Sequence, residues 1–199
     1  MVTSEQVKRL RQTTGVGMMD CKKALEESGG DMEKAVKLLR ERGAAVAEKR
    51  ADRATKQGVV EAYIHTGGRI GAMVELNCES DFVAKTEDFR TLARNIAMQV
   101  AAMNPQVIAR EELKKELIEK EKEIYLNQAK NEGKDAATAE KIAQDRVEKF
   151  IQENVLLEQS FIRDAGKTIR DLIHEAVGRM GESIAVRRFA RYHLADETK

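Results

Sequence analysis

Two runs of alternating apolar residues flank a pair of glycines: Val60, Ala62 and Ile64 precede Gly67-Gly68, and Ile70, Ala72, Val74 and Leu76 follow. Period-two alternation sends successive side chains to opposite faces of a strand, so this stretch predicts a β-hairpin turned at the glycines. Near the C-terminus, Ile184, Val186 and Ala190 alternate with Ala185, Arg187 and Arg191, which predicts a third strand. A small antiparallel sheet with one buried face needs cover. Phe89, Leu92, Ala93, Ile96, Ala97 and Val100 recur at helical spacing and supply it, until Asn104-Pro105 stops the helix. The chain is therefore read as α+β, a small antiparallel sheet packed with helices.

Ahead of the hairpin the periodicity is helical and interrupted. Thr3 and Gln6 have capping-box spacing before Val7 and Leu10. Cys21, Ala24 and Leu25 form a second stripe that ends at Gly29-Gly30. Asp31 caps a third stripe with Ala35, Leu38 and Leu39, closed by Gly43. Residues 1–43 thus predict a compact three-helix module. Residues 44–57, rich in alanine and in charges of both signs, read as a linker that is partly helical. Residues 58–199 then form the α+β core. Within it, residues 110–157 predict an antiparallel helical hairpin broken at Asn131-Glu132-Gly133, with Leu113, Leu117, Ile124 and Tyr125 on one arm and Ile142, Phe150 and Ile151 on the other. A last helix starts at Thr168 and buries Ile169, Leu172, Ile173, Ala176 and Val177.

Composition narrows the chemistry. Thirty-five Lys and Arg face 34 Asp and Glu, so a net charge of +1 sets up no field to draw in nucleic acid or anionic lipid. Aromatic residues are 4% and Trp is absent, which argues against a base-stacking platform. Cys21 and Cys78 stand far apart, and His65, His174 and His193 match no ligand spacing, so no metal site or cofactor is expected and the thiols read as reduced and half-buried. The N-terminus lacks the apolar core of a signal peptide, and no stretch approaches a membrane span of ~20 residues. The expected location is cytoplasmic.

Two segments stand out as candidate sites. In Glu79-Ser80-Asp81-Phe82-Val83, a carboxylate and an aromatic ring sit together at a strand-to-helix turn. They can project outward, one to disturb a bound cation and the other to wedge into a partner. Alternatively, Phe82 tucks under the turn as a staple for a helix capped by Thr86. In Thr14-Gly15-Val16-Gly17-Met18-Met19, two glycines surround adaptable apolar side chains, which either fill the module's core or meet a partner. No strand precedes this Gly-x-Gly, so it is no phosphate loop.

Three stretches taken together resemble the bacterial elongation factor Ts family, the guanine-nucleotide exchange factors of elongation factor Tu. They are residues 10–25, from Leu10 to Leu25; residues 76–84, Leu76-Asn77-Cys78-Glu79-Ser80-Asp81-Phe82-Val83-Ala84; and residues 181–189, from Gly181 to Phe189. The resemblance implies a ubiquitin-associated-like form for the three-helix module. It also implies that Ser80, Asp81, Phe82 and Val83 reach the magnesium site of the partner GTPase, while Leu10, Val16, Met18 and Met19 dock on its nucleotide-binding domain. Ser80 stands where the family usually has Thr, which keeps the hydroxyl. The length is similar to the family's short form, whose members pair as homodimers. Some of these carry a cysteine in the C-terminal strand, a place held here by Ala190. Such a factor would perform no covalent chemistry.

Two other classes compete with this one. An adaptor could use the three-helix module to bind a protein ligand, but would have no need of the Asp81-Phe82 turn. An enzyme would need a constellation of nucleophile, base or paired carboxylates that the chain does not display.

Overall fold

The computed structural model describes residues 2–195. Helices α1 (Ser4–Thr14), α2 (Met18–Glu27) and α3 (Met32–Arg50) come first, then strands β1 (Gln57–Ile64) and β2 (Ile70–Cys78). The single turn α4 (Asp81–Ala84), the cover helix α5 (Glu87–Met103) and the hairpin helices α6 (Lys115–Asn131) and α7 (Ala136–Asn154) follow. A short ribbon, β3 (Ser160–Phe161) and β4 (Asp164–Thr168), leads into α8 (Ile169–Met180) and β5 (Ile184–His193). The main sheet has the order β1-β2-β5. This is the α+β class expected from periodicity.

The chain divides into two compact units. One comprises residues up to Ala62, Met73–Ala97 and Asp171–Phe189; the other comprises Tyr63–Ala72, Met98–Arg170 and residues from Ala190 onward.

In the first unit, α1 begins with the expected capping box. The Thr3 hydroxyl accepts from the Gln6 backbone N–H at 3.2 Å, and the Gln6 side-chain oxygen accepts from the Thr3 backbone N–H at 2.8 Å. Val7, Leu10, Cys21, Ala24, Leu25, Ala35 and Leu39 then close a small core. Both cysteines are free and fully buried, deeper than the half-burial expected. Gly43 does not stop α3, as its sequence position suggested; the helix runs on to Arg50. The reason is tertiary. A Cβ on Gly43 would meet the His174 carbonyl oxygen at 3.1 Å, and one on Gly178 would meet the Gly43 Cα at 3.2 Å. The two glycines let α3 and α8 cross almost backbone to backbone, with Arg40 Nε 3.1 Å from a Glu175 carboxylate oxygen beside the crossing.

Ala72, Val74, Leu76 and Cys78 of β2 are buried, as its alternation requires. Strand β1 inverts the expectation: Val60 and Ile64 are each 66% exposed, whereas Val59, Glu61 and Tyr63 are half-buried. The inward Glu61 lies 3.8 Å from Arg94 on α5.

In the second unit, α6 and α7 form the expected hairpin, with Leu113, Val147, Ile151 and Val155 in a cluster joined by Leu117, Tyr125 and Phe150, and with alanines buried as well. Ala129, Ala139 and Ala143 are fully buried beside Val147, and Ile124 is left exposed. The base of the hairpin is a charged fork. The Arg110 guanidinium donates to Glu158 at 2.7 Å and to Glu148 at 2.9 Å, which holds the Glu158 carboxyl below the usual carboxylate range. Helix α5 ends at Met103, where Asn104 adopts the left-handed conformation (φ +48°) ahead of Pro105. The ribbon β3–β4 was not foreseen, because Ser160 to Thr168 is short and mostly polar. Buried Gln99 secures it, donating to Gln159 Oε1 at 3.1 Å and to the Ser160 carbonyl at 3.0 Å while accepting from the Ile162 N–H at 3.0 Å.

Candidate functional site

The segment from Glu79 to Phe89 starts a helix twice. Ser80 is extended (φ −122°, ψ 156°), and its hydroxyl accepts from the Val83 N–H at 3.3 Å, capping α4. One turn later the Thr86 hydroxyl accepts from the Phe89 N–H at 3.3 Å and starts α5. Between the two caps Ala84 faces inward and is nearly fully buried. Phe82 lies two residues earlier, about 200° around the helix, and so must point outward. It is 80% exposed. The staple reading, in which the ring tucks under the turn, is therefore replaced by a ring held in solvent.

Asp81 shares the tip. Its carboxylate accepts from Lys85 Nζ at 2.6 Å, and that bond holds the Asp81 carboxyl below the usual carboxylate range. Both side chains are exposed, so the pair contributes little to stability and can be exchanged for another cation at small cost. Val83 is half-buried beside the tip.

Beneath the turn lies a dense polar layer that sequence reading missed. Ser80 donates its backbone N–H to Glu182 Oε2 at 2.9 Å and its hydroxyl to Glu182 Oε1 at 2.5 Å. Glu79 accepts from the Ser183 N–H at 2.7 Å, from Arg50 Nη1 at 3.0 Å and from Arg53 Nη1 at 3.1 Å. Cys78 is buried under the same turn, with Sγ donating to the Ser80 carbonyl at 3.1 Å. Burial pushes its thiol up to about 11, so it stays a neutral packing group and not a nucleophile.

The methionine loop is the second candidate. Gly15 ends α1 in the left-handed region (φ +69°), its N–H bonded to the Arg11 carbonyl at 2.7 Å, and Gly17 opens α2. This places Met18 and Met19 in the first turn of α2, where they are 38% and 64% exposed. Val16 is half-buried against the module core. Leu10 is corrected: it is fully buried in that core, because α1 needs it to pack on α2 and α3, and its side chain offers no surface to a partner.

Glu79 makes the fold sensitive to acid. The Ser183 backbone N–H, then the Arg53 and Arg50 guanidinium groups, hold its carboxyl below the ordinary value of 4.5. A carboxylate whose pKa is depressed in the folded state stabilises fully above its unfolded value, and the contribution is lost as pH falls through the folded one. Thermal melting should be nearly flat down to about pH 5 and decline below about pH 4.5, and Glu79→Gln should make that acid decline shallower. A melting series over this range in wild type and variant checks it.

A family model described as Elongation factor TS matches residues 18–196. The chain is 57% identical over 196 residues to "Elongation factor Ts" of Moorella thermoacetica, spanning 98% of this chain and 97% of that protein. It is 55% identical over 196 residues to the Carboxydothermus hydrogenoformans protein of that name, spanning 98% of this chain and 90% of the relative. For the Caldanaerobacter subterraneus subsp. tengcongensis protein the identity is 55%, over 98% of each chain. These matches place the chain among the translation elongation factors. Within that class it belongs to the elongation factor Ts family, whose members act in protein biosynthesis as exchange factors. Among the described residues, no helix is long and apolar enough to cross a membrane.

Proposed function

We propose that this protein promotes GDP release from elongation factor Tu by disturbing the magnesium–phosphate site of that GTPase, after which GTP loads. The observation that carries the reading is Phe82, a large apolar ring held in solvent on a turn anchored from below. Such a ring gains free energy only by entering another molecule. Magnesium bridges a GTPase and its nucleotide phosphates, so displacing it removes the largest local charge that retains GDP. Phe82 acts as the wedge and Asp81, ionised and free to leave Lys85, perturbs the cation's ligands; Ser80 and Val83 set the turn. Met18, Met19 and Val16 dock on the nucleotide-binding domain, bringing the tip into range. No covalent step is involved. The test is release of a fluorescent GDP from elongation factor Tu with substoichiometric wild-type protein: release should accelerate catalytically, and an unchanged rate would refute the reading.

Strand β1 supports a second element of the proposal. Its exposed face carries Val60 and Ile64, an apolar edge pattern expected to be covered by another chain. We take that chain to be a second copy, which makes the working form a homodimer held without a disulfide, Ala190 occupying the strand position in question. Light scattering should give a mass near twice 22.3 kDa, and Val60→Glu with Ile64→Glu should give the monomer. A wild-type monomer at tens of micromolar would refute this part alone.

A further inference from the structure

The two glutamates beneath the Phe82 turn are reciprocal. Glu182 follows Gly181, whose left-handed backbone (φ +72°) turns the chain out of α8, and it binds the backbone N–H and the hydroxyl of Ser80. Glu79, next to Ser80, binds the backbone N–H of Ser183, next to Glu182. Each carboxylate thus holds the neighbour of the other. The Ser80 hydroxyl is used twice, donating to Glu182 and accepting from the Val83 N–H, so one oxygen joins this clamp to the first turn of α4. Glu79 spends its remaining lone pairs on Arg50 and Arg53, at and just beyond the end of α3.

A helix of one turn does not persist on its own, since nucleation is unfavourable and α4 has only four residues. Something outside it must hold its shape, and the charged hydrogen bonds at its cap are the strongest contacts it has. We propose that Glu79 and Glu182 are positioning residues for nucleotide exchange, a reciprocal lock that fixes the direction in which Phe82 leaves the surface. The proposal rests on the reading of Phe82 as the inserting group. A preoriented ring enters its target without first losing conformational freedom, whereas a loosened one must be ordered in the transition state for GDP release. Loosening the lock therefore lowers the maximal exchange rate and spares docking, because Met18 and Met19 lie on α2.

The experiment measures fluorescent GDP release from elongation factor Tu across a range of factor concentrations, for wild type, Glu182→Gln, Glu79→Gln, Ser80→Ala and Ser80→Thr, each also with Phe82→Ala, with melting curves to confirm folding. Glu182→Gln and Ser80→Ala should lower the maximal rate about tenfold, with half-saturation moved less than about twofold. Ser80→Thr, which keeps the hydroxyl, should retain the rate. In the Phe82→Ala background, Glu182→Gln should change the rate less than about twofold, because the lock acts only through the ring. Should Glu182→Gln fail to fold, Ser80→Ala against Ser80→Thr carries the same comparison. A full maximal rate in folded Glu182→Gln, or an equal loss with and without Phe82, overturns the lock while Phe82→Ala alone remains slow. A wild-type rate in Phe82→Ala would instead overturn the underlying wedge.

Discussion

Phe82→Ala is expected to lower the maximal rate of GDP release from elongation factor Tu by about 10- to 100-fold, the worth of burying an aromatic side chain if the ring is engaged only as the nucleotide leaves. The fold should not notice. Phe82 is 80% exposed and the cap bonds of its turn are made by Ser80, so melting temperatures of wild type and variant should agree within error. That combination separates a wedge from a structural aromatic, whose loss would lower stability first and activity as a consequence. Stopped-flow release of a fluorescent GDP analogue, with a melting curve on the same preparations, reads both quantities.

The second large effect is on stability. Gly43→Val places a branched side chain where even a Cβ would meet the His174 carbonyl oxygen at 3.1 Å, and the facing surface is Gly178, which has no side chain to move aside. Overpacking of this kind costs about 3 kcal/mol, set against a gain of under about 1 kcal/mol from removing a glycine from a helix interior. The net loss should lower the melting temperature by roughly 5–8 °C for a chain of this size. A helix that ended in a left-handed Gly43 would also lose stability with Val there, but would be indifferent to a side chain at position 178. Thermal melting of Gly178→Val therefore tests whether α3 is packed along its length on α8: it should reproduce the loss from the other side of the crossing.

Local periodicity made much of the fold legible. The hairpin, the cover helix α5, the stop at Asn104-Pro105 and the arms of the helical hairpin all follow from patterns contained within a few turns or a few strand residues. What was illegible depends on distant partners. Gly43 is a helix stop by its own neighbours and a crossing point only because Gly178, far along the chain, faces it. Glu79 and Glu182 look like surface carboxylates until the fold sets residues 79–80 against 182–183. Strand β1 shows the same limit differently, since alternation identifies two faces but not which one is covered. At the site, Asp81-Phe82 could be singled out as a candidate, yet the choice between a tucked and an exposed ring turned on Ala84, whose inward orientation leaves Phe82 no route to the core. Leu10 went astray differently: its docking role came with the resemblance, whereas the stripe it shares with Val7 already marked it as core.

Exchange by this route has a thermodynamic requirement. A factor that weakens GDP binding must itself be bound less tightly by the GDP form, and by the same factor, because coupling between two ligands is reciprocal. Isothermal titration of this protein into elongation factor Tu, nucleotide-free and then saturated with magnesium and GDP, measures that coupling directly. Binding to the nucleotide-free form should be tighter by at least about tenfold, and equal affinity for the two forms would contradict exchange by this route.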